Sequence, residues 1–324
     1  MFFLIILELI KLKKIYIKFI FICIGIFLIM KITYRTSGID YENYVNMFNS
    51  VKLSGLDYLK SRIEPLFVLL LYFSKNKEVA FGIIGCITIF FKLNSIYKYS
   101  IFPFVSLIFY YYSFYYIDDL GRIRIGIATA ILIYSIRFLK EKKFFIFLII
   151  AILFHKSSIL YLIPHYFVSK KINKEKLIKI LITSLFLSLF DWSYFFILLK
   201  NIDFFSSTVV LYIDSIQRIG FTPYILSKLF FMLLFIINFN KLKYYKYFNE
   251  LFIIYFIGNI FYFTFNSIKI LATRGSEVFI CIEFLILPYL LKTSKNVQIK
   301  FIIFIILVLY YLYTGKDFIF ISHI

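Results

Sequence analysis

The stretch IYIKFIFICIGIFLIMKIT, residues 15–33, is an apolar run of membrane-spanning length. Lys18 and Lys31 are its only ionisable groups apart from Tyr16 and Cys23. As a helix rising 1.5 Å per residue it covers about 28 Å, close to the roughly 30 Å hydrocarbon core of a bilayer. Working outward, the same reading predicts spans near 79–97, 101–117, 120–139, 177–198, 223–240, 248–268, 276–292 and 301–315. Three further apolar stretches, 64–74, 144–154 and 157–168, are too short to cross alone and predict broken, re-entrant or strongly tilted helices. Composition agrees: 62% hydrophobic residues and a mean hydropathy of +0.89 exceed what a soluble core can hide. The expected fold is all-α, a polytopic transmembrane helical bundle of about 10–12 membrane segments in a single integral membrane domain, 1–324. Outer loops are expected at 34–63 and 199–222.

Orientation follows from lysine and arginine near span ends. Lys11, Lys13, Lys14 and Lys18 precede the first span, Lys92 and Lys98 separate two others, and Arg137, Lys140, Lys142 and Lys143 close the 120–139 segment. Lys170, Lys171, Lys174, Lys176 and Lys179, then Lys241, Lys243 and Lys246, then Lys292, Lys295 and Lys300 fall on the same cytoplasmic side if 144–168 enters and leaves as a hairpin. One crossing at 144–168 would put three lysine clusters outside, so the hairpin is preferred. The amino terminus is then inside and the carboxyl terminus outside. Arg35, Arg62, Arg122, Arg124, Arg218 and Arg274 face outward, leaving Arg137 with the lysines.

The net charge of +20 is what this bias produces, so no nucleic-acid partner is expected. Cys23, Cys86 and Cys281 lie in helices at unrelated spacing, which predicts packing residues and neither disulfides nor a zinc site. The leading MFFLIILELI lacks a basic n-region and a small-residue cleavage site, and reads as an uncleaved segment. There is no Walker A pattern, no Gly-x-Gly-x-x-Gly and no repeat of 20–50 residues.

Lysine is the default cation of this composition, so arginine marks positions where geometry counts. Its planar fork binds phosphate through two parallel hydrogen bonds and stays charged at low dielectric. At the bilayer centre it costs about 2.5–3.5 kcal/mol on insertion scales, so such residues have a partner or a task. Tyr34-Arg35-Thr36-Ser37-Gly38-Ile39-Asp40-Tyr41-Glu42-Asn43-Tyr44 gathers a cation, two carboxylates and three tyrosines. It reads either as a sugar-binding surface or as an interfacial aromatic belt. In Arg62-Ile63-Glu64-Pro65 the proline suits a first helical turn and Glu64 the positive end of the dipole.

Arg122 and Arg124, two residues apart, diverge by about 200° on a helix. One is expected to pair with Asp118 or Asp119 and the other, Arg124, to face a ligand, with Gly126 and Ala128 admitting a neighbouring helix. His155-Lys156-Ser157 occupies the turn between two short segments, where polar groups are tolerated only against protein or water. Arg274-Gly275-Ser276-Glu277 is expected at the start of the 276–292 span, an arginine beside a helix amino terminus that favours an anion. Glu283, further in, faces the same interior or makes a buried structural bond.

In order, Arg35 with Gly38-Ile39-Asp40-Tyr41 and Tyr44, Glu64-Pro65-Leu66-Phe67, Arg124-Ile125-Gly126-Ile127-Ala128, His155-Lys156-Ser157-Ser158, and Arg274 with Phe279 resemble the EpsG-like, Wzy-type family of exopolysaccharide and O-antigen polymerases. Departures are Leu66 where the family often has glycine, Ile125 where glutamine is common, and Val278-Phe279 in place of a Tyr-Phe pair. The resemblance implies a GT-C-like architecture in the bacterial cytoplasmic membrane. It also implies a glycosyltransferase joining polyprenyl-diphosphate-linked oligosaccharides at the outer face, with a flippase and a chain-length regulator as partners besides the lipid bilayer. In that chemistry Arg124 and Arg274 would stabilise the departing diphosphate. Arg35, Arg122, Tyr41, Tyr44, Glu277 and Arg218 would contact substrate, and the acceptor's base lies among His155, Asp40, Glu64 and Glu277. No cofactor and no metal is expected. A flippase or transporter of anionic lipid-linked glycans, and a transferase using a polyprenyl-phosphate sugar with Asp40 or Glu42 as its acid group, are the alternatives.

Overall fold

The computed structural model describes residues 8, 12–61, 63–170, 172–195, 219–220 and 222–321, and no strand occurs among them. The expected all-α class holds. The helices are α1 (Lys14–Thr33), α2 (Tyr41–Ser54), α3 (Pro65–Phe73), α4 (Lys77–Tyr99), α5 (Pro103–Phe109), α6 (Ile123–Ser135) and α7 (Lys143–Phe154). After a 3₁₀ turn at Lys156–Tyr161 follow α8 (Leu162–Val168), α9 (Lys174–Leu187), α10 (Pro223–Leu242), α11 (Phe248–Thr264), α12 (Lys269–Ile280), α13 (Glu283–Ile286), a 3₁₀ turn at Leu287–Lys292 and α14 (Val297–Ile321). Among the described residues, four stretches are long and apolar enough to cross a membrane: α1, α4, α10 and Val297–Thr314 of α14. The shorter α7 and α11 are also apolar. On α1, Phe19, Ile22 and Ile26 are all more than half exposed, a surface that a bilayer solvates and water does not.

Contacts divide the chain into two compact units, Met1–Tyr161 with Leu287–Ile324, and Leu162–Ile286. In the first, α1 and α4 run antiparallel at close range. A Cβ on Gly25 would stand 3.0 Å from Leu93, and one on Gly85 3.2 Å from Ile32. Next to α4 lies α6, buried along nearly all its length. The segment predicted as the 101–117 span is α5 continued by a π-helix, Tyr110–Gly121. The gap expected between the 101–117 and 120–139 spans, Asp118 and Asp119, therefore lies within this helix, and the chain breaks only at Arg122. π-Helical turns are rare and gather at functional sites. This one is pinned inside the unit: Lys92 Nζ lies 2.6 Å from Asp119 Oδ1, the Tyr110 hydroxyl donates to the other carboxylate oxygen, and all three side chains are buried. Lys92 was expected in a cytoplasmic loop; it lies inside α4, so it says nothing about orientation.

The second unit is built around α11 and α12, which interlock through glycine on each side. A Cβ on Gly258 would stand 2.7 Å from that of Phe279, and one on Gly275 would collide with the Phe261 ring. The predicted 276–292 span is broken: α12 ends at Ile280 and α13 begins at Glu283. Glu283 makes the buried structural contact, 2.5 Å from Lys228 Nζ and accepting from the Tyr255 hydroxyl at 3.0 Å. Of the cysteines expected to pack, only Cys281 is buried; Cys23 and Cys86 are exposed on their helices.

Candidate functional site

Three separated pieces of the first unit meet at Glu64. Pro65 opens α3 as predicted, which makes Glu64 the residue that precedes its first turn. The carboxylate makes no cap bond to the helix, however. Its Oε2 lies 2.7 Å from Arg124 Nη1, and its Oε1 accepts from the Lys156 backbone N–H at 3.2 Å and stands 3.5 Å from His155 Nδ1. Burial alone would raise the Glu64 pKa. His155, Arg124 and the Lys156 N–H outweigh it and hold the carboxyl at about 2. Glu64 is therefore a fixed anion at neutral pH. The His155 and Arg124 side chains are about a quarter exposed, so they are the part of the cluster open to a ligand.

Beside it, Tyr44 of α2 packs edge-on against Phe67, with the Arg124 guanidinium 5.9 Å from the same ring. Tyr44 also interacts with Arg124 directly. On its other side lies Arg35, buried among the rings of Tyr41, Tyr44 and Phe81 at 5.5, 5.5 and 4.4 Å. Arg35 donates to the carbonyl of Leu120 in the π-helix, while its Nε and other Nη have no hydrogen-bond partner among the described residues. Desolvation lowers its pKa to about 10, against the opposing pull of Tyr44, Tyr41 and Asp40, so it stays cationic. Asp40, at the start of α2, accepts from Asn43 Nδ2 at 3.4 Å, and Lys77 donates to the Tyr41 hydroxyl at 3.0 Å. Arg122 pairs with Asp118 at 2.8 Å, as expected of one of the two arginines, but Arg124 is paired as well, with Glu64.

Two glycines let the pieces approach. A Cβ on Gly126 would stand 2.7 Å from the Asp118 carbonyl and 2.9 Å from Asp119 Oδ1, so the first turn of α6 sits directly on the last turn of the π-helix. Gly38 has φ +140°, which L side chains rarely adopt, and its Cα side faces the Leu120 carbonyl. The first unit thus brings together Arg35, Asp40, Tyr41, Tyr44, Glu64, Arg122, Arg124 and His155.

Arg274 and Glu277 belong to the second unit, on α12. Arg274 is exposed and is the sixth residue of a helix that starts at Lys269, so the expected place at a helix amino terminus is wrong: the polar Lys269–Ser276 stretch is helical throughout. Arg62, Arg218 and nearly all of the 199–222 loop lie outside the described residues. No group of three His, Cys, Asp or Glu side chains able to hold a metal occurs among the described residues. Reading the sequence missed Phe81 and Phe67 as walls of the arginine sites, and Lys92 as the anchor of the π-helix. A lysine interrupting the apolar run 79–97 was the available signal for the last.

A family model described as the EpsG family matches residues 2–322, nearly the whole chain, and the chain belongs to that family. No curated protein and no solved structure matches. The protein is a polytopic membrane protein, and its family points to a polysaccharide-polymerase type of function.

Proposed function

We propose that this EpsG-family chain polymerises polyprenyl-diphosphate-linked oligosaccharides at the outer face of the bacterial cytoplasmic membrane. The observation that carries the reading is the meeting of Arg124, Glu64 and His155 from three separate elements. In the reaction, a hydroxyl oxygen of one lipid-linked unit forms a bond to the anomeric carbon of the growing glycan. The bond from that carbon to the diphosphate breaks, and its electron pair leaves with the polyprenyl diphosphate.

The hydroxyl proton needs an acceptor. With its pKa near 2, Glu64 is too weak a base for this at neutral pH. Its task is to face His155 Nδ1, which leaves Nε2 of the imidazole to take the proton. The developing charge on the diphosphate is met by Arg124, whose Nε has no partner among the described residues, and by Arg122 next to it. Tyr41 and Tyr44 are buried, with Arg35 against both rings and Tyr44 also meeting Arg124, so they position the arginines rather than offer ring faces to a sugar. Arginines neutralise the leaving group directly, so no metal is needed in this scheme.

The test is to reconstitute the purified protein with polyprenyl-diphosphate-linked repeat units and compare glycan ladders. Wild type forms a ladder, Arg124→Ala loses roughly 10²–10³-fold in rate, and His155→Ala loses about 10²–10⁴-fold. Lipid-linked units crossing the bilayer without elongation would replace the polymerase reading by a flippase. A ladder untouched by both substitutions would remove the site from the reaction.

A further inference from the structure

The second unit contains an apolar groove that the reaction above does not use. It encloses about 270 Å³ between α8, α9 and α11, with Ile163 and Phe167 on one wall, Ile180 on another and α11 from Ile253 to Thr264, continued by Phe265, as its floor. That stretch of α11 is about 18 Å long at 1.5 Å per residue, a length suited to an extended acyl chain. Thr264 and Lys176 are its only polar lining residues among those described.

The lysine marks one end. Beyond the carboxyl end of α9, Trp192 takes the Ser267 hydroxyl as acceptor for its backbone N–H and lies 5.2 Å from Phe265, which follows α11. The two helices therefore run in the same direction. Lys176, in the first turn of α9 where Asn173 caps its N–H, lies at the end of the groove where α11 begins. Lys170, Lys174 and Lys179 are its near neighbours in sequence, Lys241 lies in the last turn of α10, and the turn into α11 adds Lys243 and Lys246. Glu175 and Glu250 are the acidic residues of these segments, so the rim is strongly cationic.

We propose that this groove is a binding site for an anionic phospholipid, with one acyl chain along α11 and the phosphate at Lys176. An apolar crevice accepts any chain; a single lysine at one end, inside a basic rim, selects the headgroup by charge. Basic pockets between membrane helices recognise anionic headgroups in this way. Each lysine near the headgroup contributes ~1 kcal/mol, about a fivefold preference.

The experiment is native mass spectrometry of the full-length protein, delipidated in detergent and titrated with phosphatidylglycerol or with phosphatidylcholine of the same acyl chains. Wild type retains phosphatidylglycerol at least about fivefold better. The exposed Lys176→Gln change lowers that preference about fivefold without loss of folding, and Ile257→Trp, which fills the groove, weakens retention of both lipids. Equal retention by wild type, or an unchanged preference in Lys176→Gln, overturns the proposal. So does stronger retention of undecaprenyl phosphate than of phosphatidylglycerol, which would make the groove a prenyl-chain site.

Discussion

Glu64 and Arg124 are sixty residues apart in the chain and 2.7 Å apart in space, joining the start of α3 to the first turn of α6. The pair is largely shielded on the carboxylate side and a quarter exposed on the guanidinium side. Charge pairs in one network couple by about 0.5–3 kcal/mol. Thermal unfolding of Glu64→Gln, Arg124→Ala and the double variant in detergent should therefore show a double loss smaller than the sum of the singles. Additive losses would mean that the two side chains do not depend on each other. Arg124→Lys keeps the charge but not the planar fork, and should restore stability better than turnover.

Acid should unfold the protein partly through the same carboxylate. Glu64 titrates near 2 in the folded protein, below the ordinary value of 4.5. A depressed carboxyl stabilises the folded state fully above its unfolded pKa, and that contribution is lost as pH falls through the folded one. The melting temperature of wild type should drop between about pH 4.5 and 2, and Glu64→Gln should be flatter across that window. Parallel curves would remove Glu64 as a source of acid sensitivity.

Gly126 tests whether the π-helix sets the arginines. A Cβ there would stand 2.7 Å from a backbone carbonyl, which cannot swing aside as a flexible side chain can. Gly126→Ala should push the last π-helical turn from α6 and spoil the placement of both Arg122 and Arg124. A stability cost of about 1–3 kcal/mol is expected, with a larger fall in turnover than in substrate affinity. Wild-type turnover in this variant would show that the contact does not position the site.

Apolar runs marked α1, α4 and α10 because a bilayer demands length and hydropathy together, and both are local properties. The polar motifs at Arg35, Glu64, Arg124 and His155 stood out because charge is costly beside such runs. Their mutual arrangement was illegible: nothing local says that Glu64 declines its helix cap to bind Arg124. Lys92 misled because a lysine near the end of an apolar run looks the same whether it faces water or a buried Asp119. The break between Ile280 and Glu283 was hidden for a related reason, since the run stays apolar while the pairing of Glu283 with Lys228 is made from a distant helix.

The Lys92–Asp119 pair gives the last prediction. Both side chains are fully buried, and the Tyr110 hydroxyl completes the carboxylate. Breaking such a pair leaves an uncompensated charge and costs about 3–5 kcal/mol, whereas replacing both members with neutral groups is often tolerated. Lys92→Met alone should therefore be strongly destabilised. Lys92→Met with Asp119→Asn removes both charges and keeps an acceptor for Tyr110, so it should recover most of the loss in a fluorescence-detected thermal melt. Two single costs that simply add in the double variant would show that the charges are not held against each other. If the double variant is stable, its turnover then reads the second role: a π-helix still in register keeps Leu120 on Arg35 and Asp118 on Arg122, and activity should survive with the stability.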